Sequence, residues 1–474
     1  MTARPVTDAV PPGFTVQLGD RVHLCDDGRA LVGASSVLYL RPEAAERWGS
    51  DRRLAVRTAA DAALARLLLD RGMADPVWHH RPRAEAAVGR VTVVVPVRDR
   101  DDQLDQLLGV LAAARLDVVV VDDGSRDPEG AARVVRTHGA RLVVHPRNRG
   151  PAAARNTGLA HVDTEFVAFC DSDVLPDADC LAVLLRHLDD PAVAVVAPRV
   201  LGVPPRPDDG WIERYEQARS SLDLGAHPGA VGPQRPVSYL PSAFLLARRS
   251  ALGTGFDEAL RCGEDVDLIW RLVDAGWRVR YEPAATVRHR HRTVLREWLQ
   301  RKAFYGTSAA PLASRHGRAV APAVLTGWSA AVSVALLAQR RWSVPVAAAA
   351  WAWTTVSVAR RLRRSTHPLR TAAVLTTEGL VATMWQTASA LTRHYWPIAL
   401  TAAVVSPRGR RALLAAAVAE AVADRHRTGA DLDPVRYLLA RRLDDAAYGA
   451  GLWWGAIRAH SAEALMPDVR HRAR

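Results

Sequence analysis

The sequence predicts an α/β fold on a twisted, mainly parallel sheet, with a small α+β region before it and a helical region after it. Three observations carry this reading. Apolar runs such as Val91–Val97 and Asp117–Asp122 alternate with segments of helical period, and uninterrupted apolar strands belong to parallel sheets buried on both faces. The alternation gives three successive strand–helix units, whose right-handed crossovers set the strands in one sheet. Two strands stop on acid, at Asp122-Asp123 and at Asp171-Ser172-Asp173. That places carboxylates at the carboxyl end of a sheet, where open α/β folds bind ligands.

The elements follow in order. Residues 1–85 are predicted as a small N-terminal domain. Its segments Phe14–Leu18 and Arg21–Cys25 alternate apolar and polar residues around a Gly19-Asp20 turn, and Ala30–Val32 follows Asp26-Asp27-Gly28. Together they read as a small meander, and Leu64–Gly72 reads as a helix ended by glycine. The outline weakly resembles the winged-helix peptide-recognition modules of ribosomal-peptide pathways. Pro76–Ala86 is a predicted linker whose His79-His80 pair lacks further ligands at metal spacing.

Residues 88–316 form the predicted catalytic domain. After Val91–Val97, the stripe Leu104, Leu107, Leu108, Leu111 marks a helix, and helices near 128–138 and 152–160 alternate with strands to reach Asp171. A strand at Val193–Ala197 continues the pattern. Leu201–Pro233, rich in Pro and Gly, is where an acceptor-binding or lid segment is expected. Glu264 and Asp265 open a helix in the turn that favours acid.

Residues 317–474 change character. Ala319–Ala338 and Trp342–Ala359 carry no charge over 20 and 18 positions, and Arg pairs separate such runs. Lengths of this order reach the threshold for spanning a bilayer, so these segments are expected to be membrane-associated, with the catalytic domain on the cytoplasmic side. The net charge is +13. From Ala319 onward there are 20 Arg and 9 acidic residues, against 43 basic and 41 acidic in the rest. The basic excess thus lies among apolar segments, which suits an anionic membrane surface. Nucleic acid is disfavoured, because the catalytic loops lack interleaved basic and aromatic residues. Four scattered cysteines without a CxxC pair suit a reducing compartment. Met1–Gly13 has no apolar core of the kind a signal peptide needs.

Two carboxylates one residue apart repel unless neutralised, so Asp171 and Asp173 imply a divalent cation, Mg²⁺ or Mn²⁺. They stand within an ordered series: V-V-P-V-R (94–98), V-D-D-G-S (121–125), N-R-G-P-A-A-A-R-N-T-G (148–158), F-C-D-S-D (169–173), G-F-D-E (255–258), G-E-D-V-D-L (263–268) and V-R-H (287–289). Any one of these motifs is weak alone. Seven in this order and spacing resemble the inverting GT-A fold glycosyltransferases of family 2. The N-terminal extension, with R-K-A-F-Y-G-T-S-A-A-P-L at 301–312, is most similar to the subgroup belonging to mycofactocin systems.

The resemblance implies roles. Pro96, Val97 and Arg98 line the base slot of a UDP-sugar, and Asp123 or its neighbour Asp122 accepts the uracil N–H. Arg155 neutralises diphosphate or pairs with Asp171. Asp171 touches ribose, Ser172 lies between the acids, and Asp173 ligates the metal with His289; His291 is the alternative ligand. Asp265 is the catalytic base, and Glu264 positions the acceptor. The subgroup implies transfer of glucose onto a peptide-derived mycofactocin precursor, giving a short β-1,4-linked oligosaccharide. Processive polymer synthesis is disfavoured, since W-L-Q-R-K-A (298–303) stands where Q-x-x-R-W would. Two other readings compete: a membrane glycosyltransferase using a polyprenyl phosphate or cell-envelope glycan, and a non-catalytic scaffold on a transferase fold.

Overall fold

The computed structural model describes residues 8–470, apart from 21, 27, 34–36, 49, 50, 79–83, 205, 292 and 364. The His79-His80 pair lies outside the described residues. The chain divides into two compact units, one of Met1–Gly19, Arg47–Pro207 and Arg219–His291, the other of Asp20–Glu46, Asp208–Ala218 and Arg292–Arg474.

The first unit is organised by a nine-stranded sheet. In chain order its strands are β1 (Val91–Val97), β2 (Asp117–Asp122), β3 (Arg141–Val144), β4 (Phe166–Cys170), β5 (Val174–Pro176), β6 (Val193–Gly202), β7 (Gly229–Ala230), β8 (Phe244–Arg248) and β9 (Arg278–His289). Spatially they run β5-β9-β6-β8-β4-β1-β2-β3, with β7 on β9. The expected parallel pairing holds across β4-β1-β2-β3 and between β6 and β9. The mainly parallel reading needs correction beyond that. Strand β8 runs antiparallel to both β4 and β6, and β5 and β7 are antiparallel to β9, so the sheet is mixed. An apolar run such as Phe244–Ala247 shows burial but not direction.

Helices α1 (Asp101–Ala113), α2 (Pro128–Thr137) and α3 (Pro151–Leu159) follow β1, β2 and β3. The stripe of Leu104, Leu107, Leu108 and Leu111 is buried as its spacing predicts. Helix α2 starts on Asp127, whose side chain accepts from Gly130 N at 3.0 Å, with proline in the first turn. Helix α3 buries Ala152, Ala153 and Ala154. At Gly158 a Cβ would stand 2.2 Å from Val94 Cγ1, so glycine lets α3 lie directly on β1. Helix α4 (Cys180–Leu185) closes the core, α5 (Trp211–Arg219) follows β6, and α6 (Glu264–Asp274) precedes β9.

The N-terminal meander is divided. Thr15–Leu18 pairs with Arg53–Ala55 and with Ala74–Val77 in the first unit. His23–Cys25, Ala30–Val32 and Val37–Tyr39 form a separate antiparallel sheet in the second. The linker reading is corrected at its start, because Pro76 and Val77 belong to that first sheet.

The second unit is helical: α7 (Leu295–Gly306), α8 (Ala309–His316), α9 (Gly327–Ala338), α10 (Ser343–Arg361), α11 (Pro368–Ser389), α12 (Trp396–Val405), α13 (Pro407–Thr428) and α14 (Pro434–Arg458). Val37 and Tyr39 pack on Ala359, Leu362 and Ala372. Asp26 accepts from Thr366 N and Oγ1, each at 2.6 Å. The segment Asp208–Ala218 is held by buried charge: Lys302 Nζ pairs with Glu216 at 2.8 Å and Asp444 at 3.2 Å. The expected membrane spans are not found. No helix among the described residues is long and apolar enough to cross a membrane. The first uncharged run yields only the 12 residues of α9, about 18 Å against a hydrocarbon core of about 30 Å. Helix α11 has the length but carries Arg370, Glu378 and six threonine or serine residues.

Candidate active site

The register of β1 on β2 sets Pro96 beside Val121 and Val97 beside Asp122, so both carboxyl ends open at one level. Pro96 is half-buried, Val97 buried and Arg98 exposed. The loops beyond them are tied together: Asp99 N donates to Ser125 Oγ at 2.9 Å, and Arg126 N donates to Asp99 Oδ1 at 2.7 Å. The two adjacent aspartates differ. Asp122 Oδ1 accepts from Ser125 N at 2.9 Å, while its Oδ2 is buried without a partner. Asp123 accepts from Arg149 N and Gly150 N at 2.8 Å each and hydrogen-bonds His145 Nδ1 at 2.8 Å. His145 Nε2 in turn meets Thr157 Oγ1 at 2.9 Å. Asp123 therefore shapes the loop into α3. Gly124 is required there: its φ is +72° and a Cβ would stand 2.6 Å from Asn148 N.

Strand β4 is buried throughout and ends at Asp171. Arg155, on α3 and 3% exposed in its side chain, donates from Nη2 to Asp171 Oδ1 at 2.7 Å. From Nη1 it donates to Glu264 Oε1 at 2.9 Å. Burial disfavours its charge, but Asp171, Glu264 and Asp265 more than restore it, so the guanidinium stays ionised. Its face lies over the Phe256 ring, 5.4 Å from the centroid. Asn156 fixes that phenylalanine, accepting from Phe256 N at 2.9 Å and donating to Phe256 O at 2.8 Å. One buried arginine thus joins the acids after β4 to those that open α6.

Glu264 and Asp265 occupy the first turn of α6 behind left-handed Gly263. Asp265 Oδ2 accepts from Ser242 N at 3.1 Å and Oδ1 from Val266 N at 2.8 Å, which aims the half-buried carboxylate. Burial pushes the Asp265 carboxyl up, against the lowering effect of those two bonds. Glu264 is pushed up to about 7, by burial and then by the charge of Asp265, with Arg155 opposing. The two acids titrate as a pair. Asp267 serves the helix, accepting from Arg271 Nε at 2.7 Å.

Ser172 is buried and Asp173 half-buried. The pairing of β5 with β9 sets Val174 opposite His289, which brings His289 beside Asp173. Burial raises the Asp173 carboxyl, but His289 and Arg100 together hold it well below the usual range. Asp173 Oδ2 and His289 Nε2 stand 3.7 Å apart. That is too long for a hydrogen bond, yet within the span of two atoms each about 2.1 Å from one cation. The Arg100 guanidinium rests on the same Asp173 oxygen, so a cation would take that oxygen in its place. His289 Nδ1 is buried without a partner. The His291 ring lies 5.4 Å from that of His289. Among the described residues, no group of three or more His, Cys, Asp or Glu forms a closed cage. The pair fits a Mg²⁺ or Mn²⁺ ion that completes its shell with diphosphate oxygens, a common arrangement for hard cations.

Sequence reasoning missed Arg100 and His145. His145 sits at the end of an ordinary strand, and only the register of β3 on β2, with Asp122 paired to Val144, brings it to Asp123.

The family described as Glycosyl transferase family 2 matches residues 92–255. A chain of Mycobacterium tuberculosis named pre-mycofactocin glycosyltransferase is 46% identical over 478 residues, covering 97% of this chain and 99% of that one. An uncharacterized glycosyltransferase of Mycobacterium bovis is 31% identical over 193 residues, covering 40% of this chain and 81% of its own. Among solved structures, a mannosyltransferase from Pyrobaculum calidifontis in complex with GDP-Man and Mn²⁺ aligns at 23% identity. It covers 66% of this chain and 90% of its own, with a TM-score of 0.37.

Proposed function

The chain belongs to the family of the pre-mycofactocin glycosyltransferases, and on that premise we propose that it transfers a hexose from a UDP-sugar to a peptide-derived mycofactocin precursor. The sugar proposed is glucose, the anomeric configuration inverts, and the product is a short β-1,4-linked oligosaccharide. The observation that carries the chemistry is the pair of hydrogen bonds from Arg155 to Asp171 and Glu264, which ties the acid after β4 to the helix turn that carries Asp265.

The base slot is Pro96, Val97 and Arg98, with Asp122 and Asp123 beside it. Asp171 faces the ribose. Asp173 and His289 would hold Mg²⁺ or Mn²⁺, which when bound supplies Lewis-acid stabilisation of the departing UDP oxygen. Asp265 takes the proton of the acceptor hydroxyl. That oxygen bonds to the anomeric carbon as the bond from this carbon to the UDP oxygen breaks, and the electron pair leaves with UDP. A single in-line displacement through an oxocarbenium-like state inverts the centre. Burial suits Asp265 to the work, because a base whose pKa approaches the working pH accepts a proton more readily. Glu264, held by Arg155, orients the acceptor.

Residues 1–85 are proposed to help recognise that acceptor, with 88–316 carrying transfer and 317–474 its helical support. Four scattered cysteines without a CxxC pair support a cytoplasmic setting. The test is nucleotide release from a panel of UDP- and GDP-sugars with the purified acceptor, followed by NMR of the product's anomeric coupling. UDP-glucose and a β-linked product are expected. Retention of the donor's configuration, or turnover only with GDP-sugars, overturns the reading.

A further inference from the structure

Helices α9, α11 and α13 enclose a cavity of about 310 Å³ in the second unit, lined by Val332, Leu336, Leu337, Met384, Leu391 and Arg411 among others. This is the lower end of the range for small-molecule sites, roughly 300–1,000 Å³. Its polar wall groups are satisfied within the protein. Ser333 Oγ donates to Ser329 O at 3.0 Å and meets Thr387 Oγ1 at 2.9 Å. Thr383 and Thr387 donate to Gly379 O and Thr383 O, each at 2.8 Å. The wall's serine and threonine hydroxyls are therefore met within the protein, and away from Arg411 the cavity is apolar and suits apolar groups rather than water. One side opens to solvent, where Leu337 is 39% and Met384 54% exposed.

Charge marks what lies at the mouth. Between Ala319 and Arg411 there are 11 Arg and one acid, Glu378. Arg408, Arg410 and Arg411 crowd the first turn of α13, the end of a helix that is already positive. Among the described residues, none of the three pairs with a carboxylate. All three are exposed, and Arg410 Nη1 also donates to Ala403 O at 3.3 Å, so the cluster presents solvated positive charge that attracts an outside anion. On the same helices Val334, Val381 and Leu414 are each more than 60% exposed, more apolar side chain than a water-facing surface usually shows.

We infer that this cavity takes one acyl chain of an anionic phospholipid, with the headgroup phosphate on Arg411 and its neighbours, so that the helical unit rests on an anionic bilayer without crossing it. An apolar chain in the cavity and phosphate on the rim answer both observations at once. The site is independent of the transfer reaction.

The test uses the full chain and vesicles of phosphatidylcholine with or without phosphatidylglycerol. Flotation with the mixed vesicles is expected, falling as salt is raised. Ala388 and Ala415 also line the cavity, and the filling variants Ala388→Phe and Ala415→Phe should each weaken flotation by about tenfold or more, since each excluded methylene removes on the order of 0.8 kcal/mol. Both should keep wild-type transfer activity. Arg411→Gln should weaken binding to the mixed vesicles alone. Equal flotation with both vesicle types, no flotation, or full binding by both filled variants overturns the proposal. Displacement by a soluble fatty acid or a polyprenyl phosphate at lower concentration than the phospholipid also overturns it, by naming a different occupant.

Discussion

Arg155 Nη1 lies 2.9 Å from Glu264 Oε1, a contact between residues 109 apart in sequence, and both side chains are buried. The arginine faces three acids, Asp171, Glu264 and Asp265. Arg155→Met should therefore suppress the ionisation of the Glu264–Asp265 pair and lower turnover by about 10²-fold or more, the scale of general-base catalysis. Its pH–rate curve should move to higher pH. Arg155→Lys should not restore activity, because a single ammonium cannot span both carboxylates. A pH profile that stays in place in Arg155→Met would remove the coupling.

Asp265→Asn should keep UDP binding and lose turnover by about 10²-fold or more. In the wild type, kcat/KM should rise with pH through the region near 7, where the pair gives up its proton. Near-normal turnover of Asp265→Asn, measured by UDP release, would move the base elsewhere.

Stability should follow the same groups with the opposite sense. Glu264 is raised from 4.5 to about 7, so between those values the folded chain binds a proton that the unfolded chain does not. Its contribution to stability falls as pH rises through that window. Glu264→Gln should flatten the difference between urea midpoints at pH 5 and pH 8. An unchanged difference counts against the raised Glu264 pKa.

Chelation by EDTA should abolish transfer, and Mn²⁺ or Mg²⁺ should restore it. His289→Ala should require about tenfold or more extra Mn²⁺ for half-restoration, on the scale of lost metal-site support. His291→Ala should change the requirement little. Full activity in EDTA would end the metal assignment, and a larger effect at His291 would exchange the two histidines.

The adjacent aspartates should separate by readout. Asp123→Asn disturbs three buried bonds and should cost about 1–3 kcal/mol in urea unfolding. Asp122→Asn keeps the bond to Ser125 and should instead weaken UDP binding, measured by titration calorimetry. The reverse pattern would give Asp123 the nucleotide.

Local pattern made the catalytic core legible. The leucines of α1 are buried as spaced, the parallel strands β1 to β4 follow their apolar runs, and the ordered motifs match the family. What sequence could not supply is the company a residue keeps across the fold. The sequence offers Arg155 either diphosphate or Asp171, but Glu264 reaches it only through the packing of α6. His145 needs the β2–β3 register to find Asp123. The uncharged C-terminal runs mislead because absence of charge is neither helix length nor apolar character: α9 is only 12 residues long, and α10, at 19, is rich in alanine, serine and threonine and ends on Arg360-Arg361. The N-terminal meander was read as continuous because alternation shows that a strand forms, not which neighbour it chooses.

That divided N-terminus sets the timing of folding on the ribosome. Asp26 meets Thr366 across 340 residues, and Val37 and Tyr39 wait for Ala359, Leu362 and Ala372. At about 5–20 residues per second, those partners emerge on the order of half a minute later. Through that interval the Asp20–Glu46 hairpins are a nascent surface with its apolar side uncovered.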